Sequence, residues 1–172
     1  MSTLKDLIAD TQSQFRLKPA AAKATFATQS NLKAGFRSEV DIRQHSIVID
    51  EPAALGGADT GPNPVELVLA ALGSCQEITY RAYAAALGIP LESVSVKLEG
   101  EIDLRGFFAV DEGVRPGYEA VRGTVTLVSG ASAEDLALLR GAVDGHCPVL
   151  DILRNPVPVA LDLNIEAPAA AN

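Results

Sequence analysis

Cys75 and Cys147, the only two cysteines of this 172-residue chain, are its residues best equipped for chemistry. A thiolate is a strong nucleophile, and two thiols can cycle through a disulfide. Cys75 follows Gly73 and Ser74, whose small side chains let another element or a substrate come close to the backbone. Taken alone, it also reads as a small core hydrophobe, the commonest fate of an unpaired cysteine in an apolar run. Cys147 is followed by Pro148 and then by a helical pattern, which puts its sulfur near the free N–H groups of a helix start and favours the thiolate. His146 beside it either tunes that sulfur or caps the break in the chain.

Other chemistries fit these residues less well. A four-ligand zinc site would have to join Cys75, Cys147, His45 and His146, of which only His146 and Cys147 are close in sequence. Zinc ligands usually come in pairs about two to four residues apart, so no metal is expected. Ser74 lacks the G-x-S-x-G elbow after a strand that a nucleophilic serine uses, and no third partner for a histidine is evident.

The elements that must position the cysteines follow from pattern. Asn63 is a good N-cap and Pro64 a favoured first helical residue, while Gly88 offers a left-handed stop and Pro90 forbids continuation. Residues 64–87 are therefore expected as one helix of about 36 Å. Its first half, ELVLAALGSC, is apolar nearly all round, as in a helix buried on most sides. Three short runs before it, KATFATQ, FRSEVDI and SIVID, suggest an antiparallel meander. After it, SVSVKLEGEIDL and VRGTVTLVSG alternate apolar and polar residues and read as two half-buried strands that pair. The connection between them carries Phe107, Phe108 and Tyr118, expected as an apolar flap or pocket wall. Ser132 caps a further helix, PVLDILR forms a short one directly after Cys147, and VPVALDLNI is expected to finish the fold as a strand. Residues 4–16 look like an amphipathic helix. We read residues 1–22 as an N-terminal helical arm and 23–172 as one domain, with no repeat or linker.

Composition narrows the partners. Fourteen Lys plus Arg against 22 Asp plus Glu give a net charge of -8, which repels phosphate backbones and anionic lipid. Neither nucleic acid nor membrane is expected. Lys5, Asp6 and Asp10 interrupt the apolar core an export signal would need, and no stretch approaches the roughly 18 residues of a membrane span, so a cytoplasmic protein is expected. In that reducing setting two cysteines are core filler, metal ligands or a transient redox pair rather than a permanent staple.

The run GPNPVELVLAALGSCQ, followed downstream by CPVLDILRNPVPV, resembles the OsmC/Ohr superfamily of thiol-dependent peroxidases over about residues 36–165. The resemblance implies an α+β, OsmC-like fold in which two chains intertwine, with long central helices wrapped by antiparallel β-sheets and active sites at the dimer interface. It implies thiol-dependent reduction of organic hydroperoxides in oxidative-stress defence. Cys75 would attack the peroxide, Cys147 would resolve the sulfenic acid to a disulfide, and a lipoyl or similar dithiol would reduce it. No cofactor is implied.

The chain departs from the family's peroxidases where they carry a glutamate directly after the NP pair, since Val65 stands there and Glu66 comes next. Glu66 precedes Cys75 by nine residues, about 13.5 Å of rise and near half a turn, so it does not reach its own chain's Cys75 on a straight helix. It reads also as a first-turn carboxylate complementing the helix dipole. The family's activating arginine comes from the N-terminal strands, where Arg37 and Arg43 are the candidates, each equally readable as a solvated strand residue. The competing function is a noncatalytic relative that binds a small apolar ligand or senses oxidation; a third is an interaction protein with both cysteines as filler.

Overall fold

The computed structural model describes residues 3–167. A helix α1, Leu4–Leu17, precedes a three-stranded antiparallel meander of β1 (Gln29–Leu32), β2 (Ser38–Ile42) and β3 (His45–Ile49). The long helix α2 spans Pro64–Leu87; β4 (Ser93–Ile102) and β5 (Tyr118–Val128) form an antiparallel hairpin, joined through the short helix α3, Leu104–Phe107. Helices α4 (Ala133–His146) and α5 (Pro148–Arg154) follow. The fold is mixed α+β, with α2 central: α1, β4, α4 and α5 all pack against it.

Helix α2 has the termini its caps dictate. Asn63 accepts a 2.8 Å bond from the Glu66 N–H, and the Glu66 carboxylate accepts one of 2.8 Å from the Asn63 N–H. Two orphan donors are thereby satisfied reciprocally. Gly88 ends the helix at φ 71°, in the left-handed region that glycine enters without strain. Before the helix, the buried carboxylate of Asp50 accepts bonds from the N–H groups of Glu51, Ala58 and Thr60 and from the Thr60 hydroxyl, tying down the Gly- and Pro-rich loop that delivers Asn63.

The core is small. Tyr80 and Ala84 of α2 pack with Ile89, Leu91, Leu139 and Val143. Glycines allow the close approaches around it: Leu98 of β4 lies 3.7 Å from where a Cβ on Gly73 would be, and a Cβ on Gly123 would sit 2.3 Å from the Lys97 carbonyl oxygen.

Three expectations are corrected. Within one chain α2 is not buried on most sides: its buried residues are Leu72, Gln76, Thr79, Tyr80 and Ala84, while Ile78 is 70% exposed. Among the described residues no second layer covers its remaining apolar faces. The first strand is Gln29–Leu32 rather than residues 23–29, because pairing with β2 begins only at Gln29, opposite Asp41. The final strand does not form among the described residues; Val157, Val159, Leu161, Leu163 and Ile165 keep their alternation but all stand exposed. A strand needs a neighbour's ladder for its backbone groups, and this segment has none.

Candidate functional site: the sulfur pair

Helix α2 and the α4–α5 junction bring Cys75 and Cys147 together. Cys75 sits mid-helix and half-buried, while Cys147 ends α4 and caps α5, 1% exposed. Their sulfurs are 3.3 Å apart and both cysteines are free. That contact is the geometry of a dithiol that can close to a disulfide with little movement.

Burial pushes the Cys75 thiol up, and the neighbouring Cys147 sulfur adds to the rise. Two groups act the other way: the Val149 backbone N–H at the start of α5 and the Thr79 hydroxyl. Thr79 lies one turn beyond Cys75 and also donates to its carbonyl oxygen at 2.7 Å. The free amide at the start of α5 thus serves Cys75, where the sequence pointed to Cys147. The sequence reading passes over both Val149 and Thr79, although the sequence holds a signal for each. Pro148 has no N–H, so the first free amide of α5 belongs to Val149; a threonine four residues after a helical cysteine shares its face.

The other candidates do not converge on the sulfurs within one chain. Glu66 is held in the capping box at the start of α2. Arg37 pairs with Glu39 at 2.7 Å, and Arg43 is an exposed turn residue with φ 56° between β2 and β3. Neither guanidinium is among the groups that shift the Cys75 thiol. His146 places its Nδ1 2.7 Å from the Ala142 carbonyl oxygen, and its ring lies tilted by 33° against that of Tyr83, with ring centroids 5.1 Å apart. Ser74 bonds back to the Ala70 carbonyl. Among the described residues no three His, Cys, Asp or Glu side chains cluster as a metal would require, and no helix is long and apolar enough to cross a membrane.

A cleft of about 440 Å³ is lined by Leu72, Tyr118, Leu150, Leu153, Arg115 and Arg154 among others, and neither cysteine is among its lining residues. Leu72 lies one turn before Cys75, and Leu150 one turn after Cys147. Of the three aromatics expected to wall a pocket, only Tyr118 lines this cleft; its hydroxyl donates to the Val65 carbonyl oxygen at 2.8 Å. Phe107 and Phe108 stand 65% and 55% exposed. Gln76, next to Cys75, is buried, and its Nε2 has no partner among the described residues.

A family model described as OsmC-like protein matches residues 56–162, more than half of the chain. No curated protein matches. An OsmC-like protein from Mycoplasma pneumoniae is similar in structure, with a TM-score of 0.67 at 16% identity over 78% of this chain and 90% of that one. An organic hydroperoxide resistance protein OsmC from Legionella pneumophila gives 0.59 at 23% identity over 78% and 92%. An organic hydroperoxide resistance protein from Elizabethkingia anophelis, with thiocyanate bound, gives 0.61 at 19% over 78% and 91%. At these identities the likeness establishes the shared fold.

Proposed function

The chain belongs to the OsmC-like protein family, and from that premise we propose that it is a homodimeric thiol peroxidase acting on organic hydroperoxides. The observation that carries this reading is the 3.3 Å contact between a half-buried Cys75 and a buried Cys147. The Cys75 thiolate attacks the terminal peroxide oxygen; the O–O bond breaks, the alkoxide leaves and takes a proton to become the alcohol, and Cys75 becomes a sulfenic acid. Cys147 then attacks that sulfur, water leaves, and the disulfide forms. A dithiol of lipoyl type reduces it and is itself oxidised to a disulfide. A neighbouring thiol within reach spares Cys75 from irreversible overoxidation. The reaction suits a reducing cytoplasm, where such dithiols are kept reduced.

The dimer rests on surface. One chain leaves apolar residues exposed on α2, on the β4–β5 connection and along the alternating segment 157–165. Intertwining two copies covers these faces and supplies the layer that α2 lacks. Any help from Arg37, Arg43 or Glu66 to Cys75 then comes from the second copy, since none reaches it within a chain.

Turnover of cumene hydroperoxide with a dithiol tests the reading. Wild type is expected to turn over and Cys75→Ser to lose at least about a hundredfold, the scale of removing a nucleophile; equally slow consumption by both would sink it. A noncatalytic reading is favoured by one observation, the capping box that occupies Glu66 beside Val65. Under it, native mass spectrometry after expression shows a retained apolar ligand.

A further inference from the structure

We propose that the Cys75–Cys147 pair is a capture site for monosubstituted trivalent organoarsenicals, which bridge its two sulfurs independently of any peroxide chemistry. Sulfur is a soft ligand and selects soft partners. Which partner fits is decided by the 3.3 Å separation of the sulfurs. A linear two-coordinate ion, with bonds of about 2.3 Å as in zinc thiolates, needs sulfurs about 4.6 Å apart. Tetrahedral zinc needs them about 3.8 Å apart and two further ligands. Among the described residues no three His, Cys, Asp or Glu side chains cluster to supply those ligands. Trivalent arsenic makes bonds to sulfur of nearly the same length, about 2.3 Å, and they meet close to a right angle, so two bridged sulfurs lie about 3.3 Å apart.

The number of ligands agrees. Inorganic arsenite takes up to three thiolates, and this chain has two cysteines. An arsenic that already carries one carbon substituent needs only two sulfurs. Charge agrees as well. Burial and the neighbouring sulfur both hold the proton on Cys75, and no cation is among the groups that act on it. Such a setting penalises free thiolates but accepts the bridged adduct, which is neutral. In the step itself an R–As=O molecule meets two thiols: two As–S bonds form, the As=O bond breaks, and the oxygen takes both thiol protons and leaves as water. Arsenic stays trivalent, and nothing is oxidised or reduced.

The frame holds the two sulfurs ready. The Cys147 N–H donates to the Val143 carbonyl at 3.0 Å and the Asp151 N–H donates to the Cys147 carbonyl at 3.0 Å, so this one residue closes α4 and opens α5. Val143 beneath it is fully buried. Cys75 sits in the middle of α2, where the Thr79 hydroxyl also donates to its carbonyl oxygen. Binding therefore orders little, and once one sulfur is attached the second As–S bond forms within the molecule. Cys147 is 1% exposed and Cys75 half-buried, so the arsenical arrives on the Cys75 side and its substituent stays there.

Phenylarsine oxide is the probe. Reduced full-length protein is expected to take up one molecule per chain, and its intact mass should rise by the reagent less one water, the mark of two As–S bonds. A rise by the whole reagent would show attachment to a single sulfur and overturn the proposal. Cys75→Ser and Cys147→Ser should each bind at least about a hundredfold more weakly, the scale of losing an intramolecular second bond. Wild type unfolded in urea keeps both thiols but loses their spacing, so it should bind at least about tenfold more weakly than the folded chain; this comparison does not depend on either variant folding. An unfolded chain that binds as tightly as the folded one, or a serine variant that binds as tightly as wild type, overturns the proposal. Wild type that consumes no peroxide yet binds in this pattern removes the peroxidase reading and leaves the capture site standing, whereas wild type that turns over peroxide and takes up no arsenical overturns the capture site alone.

Discussion

The sulfur of Cys147 rests 3.3 Å from that of Cys75 although 72 residues separate them in the chain. Closing this pair needs only the loss of two hydrogens and a small approach of the sulfurs, so mild oxidation should give an intramolecular disulfide without unfolding. A link across that span stabilises by up to about 4 kcal/mol in the chain-entropy model, which corresponds to roughly 10 °C in Tm for a chain of this size. Intact-mass analysis and melting of oxidised against reduced protein check it; a lower Tm on oxidation would show that the native backbone resists the bridge.

Cys147 should also protect Cys75. In Cys147→Ser the sulfenic acid on Cys75 has no resolving thiol, so excess peroxide is expected to carry it to sulfinic and sulfonic acid. Peptide mass spectrometry after peroxide treatment reads the added oxygens. Wild type at equal exposure should show the disulfide instead.

The thiol's pH profile reports its neighbours. Burial first, and then the Cys147 sulfur, hold the Cys75 proton on, while the Val149 amide and the Thr79 hydroxyl favour the thiolate. Thr79→Val removes one stabilising donor, so the alkylation profile of Cys75 should move to higher pH, with roughly a fivefold slower rate at neutral pH for a lost bond of about 1 kcal/mol. Cys147→Ser should move it to lower pH, because the neighbour that opposes ionisation is gone. Shifts in the opposite senses would reverse the assignment of these groups.

Much of the frame was legible because local signals agreed. Asn63, Pro64 and Gly88 marked both ends of α2, and Cys147-Pro148 marked the start of α5. The alternation of β4 placed Val94, Val96, Leu98 and Ile102 on its inner face. The meeting of Cys75 with Cys147 depends on how α4 packs on α2, which no local pattern encodes; the family resemblance supplied it. The pairing state of residues 157–165 and the cover over α2 were not legible for the same reason, since both depend on surfaces that one chain does not hold. Val149 escaped notice because its contribution is a backbone amide, which residue type does not advertise.

Tyr118 links the hairpin to the start of α2. Its ring lies over Gly100, where an added Cβ would come within 2.5 Å of it, and its hydroxyl bonds to the Val65 carbonyl. Tyr118→Phe should cost about 1 kcal/mol for the lost hydrogen bond. Gly100→Ala should cost more, because the displaced ring loses both its seat and its bond. Denaturant melts of the two variants rank them, and equal losses would show that the ring finds another place.

The last prediction concerns acid. Asp50 is 1% exposed, and the bonds it accepts from the Thr60 hydroxyl and from three backbone N–H groups hold its carboxyl below the usual carboxylate range despite burial. In the unfolded chain the same carboxyl titrates near its ordinary value of about 3.9. Between the two values the unfolded state binds more protons than the folded one, so stability rises with pH there. The Asp50 contribution is therefore complete above the unfolded pKa and disappears as pH falls through the folded one. Residues 51–62 should loosen first, because their amides lose their common acceptor while Asn63 and the capped helix remain. Hydrogen exchange as the pH is taken below about 3.9 should show Ala58 and Thr60 opening ahead of α2. Asp50→Ala should produce the same local opening at neutral pH, whereas simultaneous loss of protection in the loop and the helix would show that Asp50 supports the whole fold instead.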